Sequence, residues 1–248
     1  MPMDLFHKVC DEAQSYVKHV YLHLWGEPTL HPRLPEMIDR VKEFATVDLA
    51  THGLFVNEES AQAIAKCDTI SVSIDGLDQE TYEQYRVGGQ LDDAMRGMKL
   101  LAKHAPNRVN WTFVVFRNNE SQIDEGKRLA ESLGVNFGDK PPLFWDRAAM
   151  DAQMPTAEKH RRYRMVDGEW KLKADRLACR EFWETTYLLA NGDIIACCYD
   201  GKAEWVMGNV NKQSLLDVWN GPNYSLARAN HSSGTLNKMC TEHCQLPS

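Results

Sequence analysis

Apolar positions along the first 140 residues alternate between two periods. Residues 4–18 place Leu5, Phe6, Val9, Ala13, Tyr16 and Val17 at helical spacing, so the chain opens with an amphipathic helix. A strand-like run over 19–24 follows and ends in Trp25-Gly26-Glu27-Pro28. A helix is expected over 34–44, with Pro35 in its first turn, where the missing N–H costs nothing. The same reading gives a strand at 47–50, a helix at 58–66 and an alternating strand at 69–74 stopped by Asp75-Gly76. It continues with a helix at 93–104, a strong strand at 109–116, a helix at 123–133 ended by Gly134, and a short strand from Val135. Five strands joined by helices imply a parallel sheet, because parallel neighbours need a crossover. The expected fold class is therefore α/β, an open or closed barrel of (β/α) repeats.

Function in such a barrel belongs at the carboxyl ends of its strands. Those ends read Trp25-Gly26-Glu27-Pro28, Thr51-His52-Gly53, Ser73-Ile74-Asp75-Gly76 and Arg117-Asn118-Asn119. Glu27 offers an acceptor to an ammonium group, Ser73 and Asp75 can hold hydroxyls, and Arg86 can pair a carboxylate. Glycine, asparagine and aspartate also serve turning alone. Their recurrence at four strand ends favours a crevice for a small polar ligand.

Composition narrows the classes. The chain has 248 residues and a formal charge of −7, which argues against a nucleic-acid surface. The basic stretch 159–164 reads as a solvated face or a substrate-side contact. No apolar run approaches the roughly 20 residues a bilayer crossing needs, so no membrane partner is expected. The start carries no apolar signal segment, and the expected location is cytoplasmic. Seven cysteines in that reducing setting favour metal ligation over disulfides. Five of them are Cys179, Cys197, Cys198, Cys240 and Cys244. Cys179 and Cys197 flank a hairpin pattern turned at Asn191-Gly192, which can bring their sulfurs together. Cys240 and Cys244 share a face if residues 238–244 make a helical turn. Such a thiolate set holds Zn²⁺ or an iron–sulfur cluster. Cys198 is the spare, because adjacent strand residues face opposite ways, and Cys197 is chosen from its spacing after Gly192. Cys10 and Cys67 read as buried small apolar residues.

The run from Leu24 to Pro32, then Thr51-His52-Gly53, then Ser71 to Gly76 with Tyr82 and Arg86, closely resembles the radical S-adenosylmethionine (SAM) superfamily. Cys179, Gly192 five residues before Cys197, then Met207 to Val210, Trp219, Cys240 and Cys244, look like its SPASM/twitch extension. The resemblance covers nearly the whole chain from about residue 19 and is specific at superfamily level. It implies that Gly26, Glu27 and Pro28 match the segment receiving the SAM amino group. Ser73 and Asp75 match the strand end facing the ribose and carboxylate, and Arg86 is a further carboxylate partner. It implies an auxiliary [4Fe–4S] cluster on Cys179, Cys197, Cys240 and Cys244. It also implies a small-molecule or peptide substrate and an electron donor such as flavodoxin or ferredoxin. His52 stands where asparagine is commoner, and Asn118 lies where a contact to the adenosyl group is plausible.

One departure is larger. The superfamily's CxxxCxxC loop, which holds the SAM-cleaving cluster, is not in this sequence. The expectation is an N-terminally truncated form that lacks the first strand, carries a second [4Fe–4S] cluster only if that segment is present, and does not cleave SAM alone. The barrel is expected over 1–140, a bridge over 141–176 with a helix near 157–165, and the cluster domain over 177–248. Trp145, Asp146 and Arg147 in the bridge are candidates to meet substrate. No catalytic acid or base is singled out. The reading is an oxidoreductase or maturase using SAM-derived radical chemistry. The alternatives are a non-catalytic SAM- or nucleotide-binding partner and a zinc-stapled binding module.

Overall fold

The computed structural model describes residues 1–144, 146–173, 179–237 and 240. The elements run α1 (Met3–Ala13), β1 (His19–Tyr21), α2 (Leu34–Lys42), β2 (Thr46–Thr51), α3 (Glu58–Ile64) and β3 (Thr69–Ser73). Next come α4 (Gln79–Glu83), α5 (Leu91–His104), β4 (Val109–Val114), α6 (Ile123–Leu133), β5 (Asn136–Lys140) and α7 (Arg147–Gln153). The remainder is β6 (Tyr163–Val166), β7 (Glu169–Leu172), α8 (Glu181–Glu184), β8 (Tyr187–Leu188), β9 (Asp193–Ile195), β10 (Val206–Asn209), α9 (Leu215–Trp219) and α10 (Pro222–Ser233). The chain divides into two compact units, residues 18–162 and residues 1–17 with 163–248.

In the first unit the five strands pair in parallel in the order β1-β2-β3-β4-β5. A sequential order with right-handed crossovers never reverses, so the connecting helices lie on one face of the sheet. The alternation of side chains shows this directly. Val47, Leu49, Ile70, Val72, Trp111 and Phe113 are fully buried, as are Ile38, Val41, Ile64, Met98 and Leu101 on the helices. The intervening Asp48, Ser71, Ser73, Asn110 and Thr112 are half-buried on the other face. One apolar face and one polar face make a partial (β/α) barrel whose inner surface suits polar ligands. Buried apolar area of this kind stabilises by about 25 cal/mol per Å².

The second unit includes α1. Leu5 and Ala13 join Phe182, Ile194, Ala196, Val210, Leu215, Val218 and Tyr224 in one core, and Val9, Tyr16 and Val17 pack against it. Lys8 donates to the Val210 carbonyl, and Glu12 accepts the first N–H of α9 from Leu215 at 2.7 Å. The sequence placed residues 1–17 with the barrel, whereas the structure groups them with the cysteine-rich core. Periodicity reports that a helix has an apolar face but not which core receives it. The bridge also differs from expectation. A 3₁₀ turn (Glu158–His160) and strand β6 stand where a helix near 157–165 was expected, and a β6–β7 hairpin follows. The β-branched and aromatic content of 163–166, with Asp167-Gly168 after it, suits a hairpin better than a helix.

Candidate functional site

The strand tops of the first unit gather the expected polar residues. Glu27 lies just past β1, where it caps the 3₁₀ turn Pro28–Leu30. Its Oε1 accepts the Thr29 N–H at 3.0 Å and the Thr51 hydroxyl at 2.7 Å. Its Oε2 accepts the His52 N–H at 2.9 Å and faces His52 Nε2 at 3.2 Å. Gly26 precedes it with φ +98°. The loop after β2 is held against α5, because a Cβ on Gly97 would come within 2.1 Å of the Gly53 carbonyl. Burial holds the His52 imidazole below the ordinary histidine range; Glu27 pulls it up and Arg86 pushes it further down.

Asp75 follows β3 and its side chain is fully buried. Its Oδ1 accepts the Val114 N–H at 2.6 Å, and its Oδ2 accepts Arg86 Nε and Nη2, both at 2.6 Å. Burial pushes the Asp75 carboxyl up, against the pull of the Arg86 guanidinium and the Val114 N–H. With both oxygens taken, Asp75 acts by fixing Arg86, whose guanidinium also lies 5.1 Å from the Tyr85 ring centre. Ser73 is half-buried on the inner face opposite Thr112, and no described protein group takes its hydroxyl. The structure therefore separates the pair. Among the described groups none bonds the Ser73 hydroxyl, whereas both Asp75 oxygens already hold protein donors.

Sequence reasoning named Thr51 and Asn119 only within strand-end motifs and gave neither a role of its own. Thr51 is buried and bridges Glu27 to the Gly53 N–H, which it accepts at 3.0 Å. Asn119 is fully buried; its Nδ2 donates to the Asp75 and Val114 carbonyls, both at 2.9 Å, and its Oδ1 accepts the Phe116 N–H at 2.7 Å. Asn118, the residue singled out, is exposed and donates to Gln84 at 2.8 Å. Nothing in the sequence separates two adjacent asparagines; burial does. Asp146 caps α7 through the Ala149 N–H, Arg147 pairs with Asp151, and Trp145 lies outside the described residues.

The second unit carries the cysteines. Gly192 turns the β8–β9 hairpin with φ +90°, and a Cβ there would lie 2.3 Å from Asn211 Nδ2. β9 ends at Ile195, so Cys197 and Cys198 sit in a turn closed by the Asp200 N–H bonding the Cys197 carbonyl at 3.1 Å. Strand alternation does not govern that turn, which corrects the argument that only one of the two can share a site. Cys197 Sγ accepts the Tyr199 N–H at 3.5 Å. The Cys197 thiol is the main influence drawing the Cys198 thiol down to about 7; burial opposes it and the Tyr187 hydroxyl assists. Tyr187 also donates to Glu181. Burial pushes the Cys179 thiol up, and negative charge on Glu181 and Cys198 adds to this. Burial likewise raises Cys240, with Cys179 adding to it. Helix α8 stands between Cys179 and the hairpin, so this helix rather than the hairpin alone positions that sulfur.

Cys198 thus interacts with the Cys197 thiol beside it, and negative charge on Cys198 and Cys179 is felt at Cys179 and Cys240 respectively. Among the described residues, no three His, Cys, Asp or Glu side chains are already arranged as metal ligands, and Cys244 lies outside them. In donor chemistry the set fits an all-thiolate cation, because adjoining thiolates oppose one another's ionisation until a cation offsets them. Cys10 and Cys67 are buried, and burial pushes the Cys67 thiol up to about 12.

Comparison with known proteins agrees with both halves of this picture. The radical SAM superfamily model matches residues 1–130, just over half of the chain, and the chain belongs to that superfamily. The SPASM model, an iron–sulfur cluster-binding domain, matches residues 179–245. A tungsten-containing aldehyde ferredoxin oxidoreductase cofactor-modifying protein from Pyrococcus furiosus is 24% identical over 270 positions, covering 92% of this chain and 75% of the relative. BtrN in complex with AdoMet and 2-DOIA superposes with a TM-score of 0.54 at 15% identity, covering 94% of this chain and 75% of that one. Streptococcus suis SuiB bound to precursor peptide SuiA gives 0.67 at 16% identity, covering 91% and 59%. At these identities the two structures establish the fold. The chain spans little more than half of SuiB.

Proposed function

We propose that this chain supplies the SAM crevice and the auxiliary-cluster site of a radical SAM/SPASM oxidoreductase or maturase. The observation that carries the reading is that the cluster-binding family matches residues 179–245, within one compact unit that holds Cys179, Cys197, Cys198 and Cys240. Cys179, Cys197, Cys240 and Cys244 would hold a [4Fe–4S] cluster. When bound, such a cluster supplies one-electron redox capacity without an open iron.

The remaining roles belong to the protein's own groups. Arg86, fixed side-on by Asp75, pairs the SAM carboxylate, and Ser73 offers its hydroxyl to the ribose. Glu27 and the Gly26-Pro28 turn form the ammonium end. The polar inner face of β2 to β4 receives a hydrophilic substrate, a peptide or a small molecule; SuiB is solved with a precursor peptide and BtrN with 2-DOIA. The electron donor is a flavodoxin- or ferredoxin-like protein. Free thiols in this number suit the cytoplasm. Among the described residues no helix is long and apolar enough to cross a membrane.

The test is anaerobic iron, sulfide and zinc determination with an absorption spectrum, on the chain and on Cys179→Ala. About four irons and four sulfides per chain, lost in the variant, support the reading. One zinc without labile sulfide replaces it with a zinc-stapled module, since an all-thiolate site suits that ion equally well.

A further inference from the structure

Glu27 holds its donors unevenly. Oε1 accepts three hydrogen bonds, from the Thr29 N–H, the Thr51 hydroxyl and, at 2.5 Å, the Thr29 hydroxyl. Oε2 accepts one, from the His52 N–H. An ionised carboxylate offers about four lone-pair sites over its two oxygens, so an ammonium group arriving at Glu27 finds its free site on Oε2. The group facing that oxygen is the His52 ring, whose Nε2 lies 3.2 Å away and whose side chain is 25% exposed.

We infer that His52 holds the place at Glu27 Oε2 that the SAM ammonium takes, and must release it for SAM to bind. This makes His52 a positioning and specificity-setting residue, and it rests on the SAM reading above. The ring has a defined resting state. Nδ1 accepts the Leu54 N–H at 3.2 Å, which leaves the proton on Nε2, and the Phe55 ring packs edge-on with centroids 5.2 Å apart. The charged groups facing it are Glu27 on the 3₁₀ turn and Arg86 beyond α4, the latter held by Asp75. Protonation gives Glu27 a cationic partner in place of a neutral one, so the ammonium must then compete with a like charge.

The experiment is calorimetric titration of the chain with SAM and with 5′-methylthioadenosine, which has the nucleoside and thioether but neither ammonium nor carboxylate. Working between about pH 7 and about pH 5.5 keeps the ligand amine protonated. In the wild-type chain SAM affinity is expected to fall about threefold across that range, while methylthioadenosine affinity stays level. His52→Asn can still accept the Leu54 N–H as an Asx turn but is too short to reach Glu27. It should bind SAM at least as tightly at neutral pH and lose the acid decline. His52→Gln keeps a neutral donor without a titrating ring, so it should be pH-independent and weaker than the asparagine variant.

A wild-type SAM affinity that does not change with pH, or the same slope in all three proteins, overturns the inference. So does an equal effect on methylthioadenosine, which would assign His52 to the adenosyl end. Binding of neither ligand to any variant rejects the SAM reading itself and takes the inference with it.

Discussion

The strand-top crevice and the cysteine site are assembled in opposite ways. In the crevice, Glu27 and Asp75 are matched by protein donors before any ligand arrives, and those donors come from several loops at once. In the cysteine-rich unit, burial raises the Cys179 and Cys240 thiols, and negative charge on another cysteine adds to the cost of ionising each. The first site is completed by the chain; in the proposed function the second would be completed by a cation. The crevice should accordingly keep its shape without ligand, and the thiol site should gain order and stability from its metal.

The comparison is broken most directly by removing metal. Chelation under anaerobic conditions should speed hydrogen exchange at β8, β9 and α10 by roughly tenfold or more, while amides of β2, β3 and β4 keep their protection. Equal deprotection of both units, or of neither, would remove the distinction. The next largest effect is expected from Asp75→Ala, which leaves the Val114 N–H and a partly buried Arg86 without their acceptor. Breaking a buried pair of this kind costs about 3–5 kcal/mol, read as a lower urea midpoint for the parallel-sheet unit with iron content unchanged.

Gly97→Ala is milder. Its Cβ would press on the Gly53 carbonyl, and the resulting shift of the β2 loop should cost about 1–3 kcal/mol in the same assay. The smallest effect is that of acid. Burial holds His23 and His52 below the ordinary histidine range, so the unfolded chain takes up protons first as pH falls. The stability these rings contribute is present above about pH 6.5 and is lost below it. A thermal midpoint that declines modestly from pH 7 toward pH 5.5, and less so in His23→Phe, would agree.

Much of the architecture was legible from the residues. The alternation of Val47, Leu49 and Thr51 with Thr46, Asp48 and Ala50 is a two-residue period, and one-faced burial makes that period unambiguous. Gly192, the Asn191 turn and the thiol spacing were likewise readable, because a left-handed turn and a metal-binding set each demand particular residue types. The choice between Asn118 and Asn119 was not, since the two differ only in which way the loop turns them. Neither was the partner of Asp75, whose carboxylate holds Arg86 from eleven residues on.

The sequence by itself therefore determined the repeating βα order, the polar strand ends, the thiol inventory and the family, all properties carried by local period and residue chemistry. Tertiary structure decided that α1 joins the cysteine-rich core, that Cys197 and Cys198 share one turn, and that both Glu27 oxygens already hold protein donors. Those outcomes depend on contacts between residues far apart in the chain. An apolar stripe or a carboxylate states what it needs, and only packing settles which distant partner supplies it.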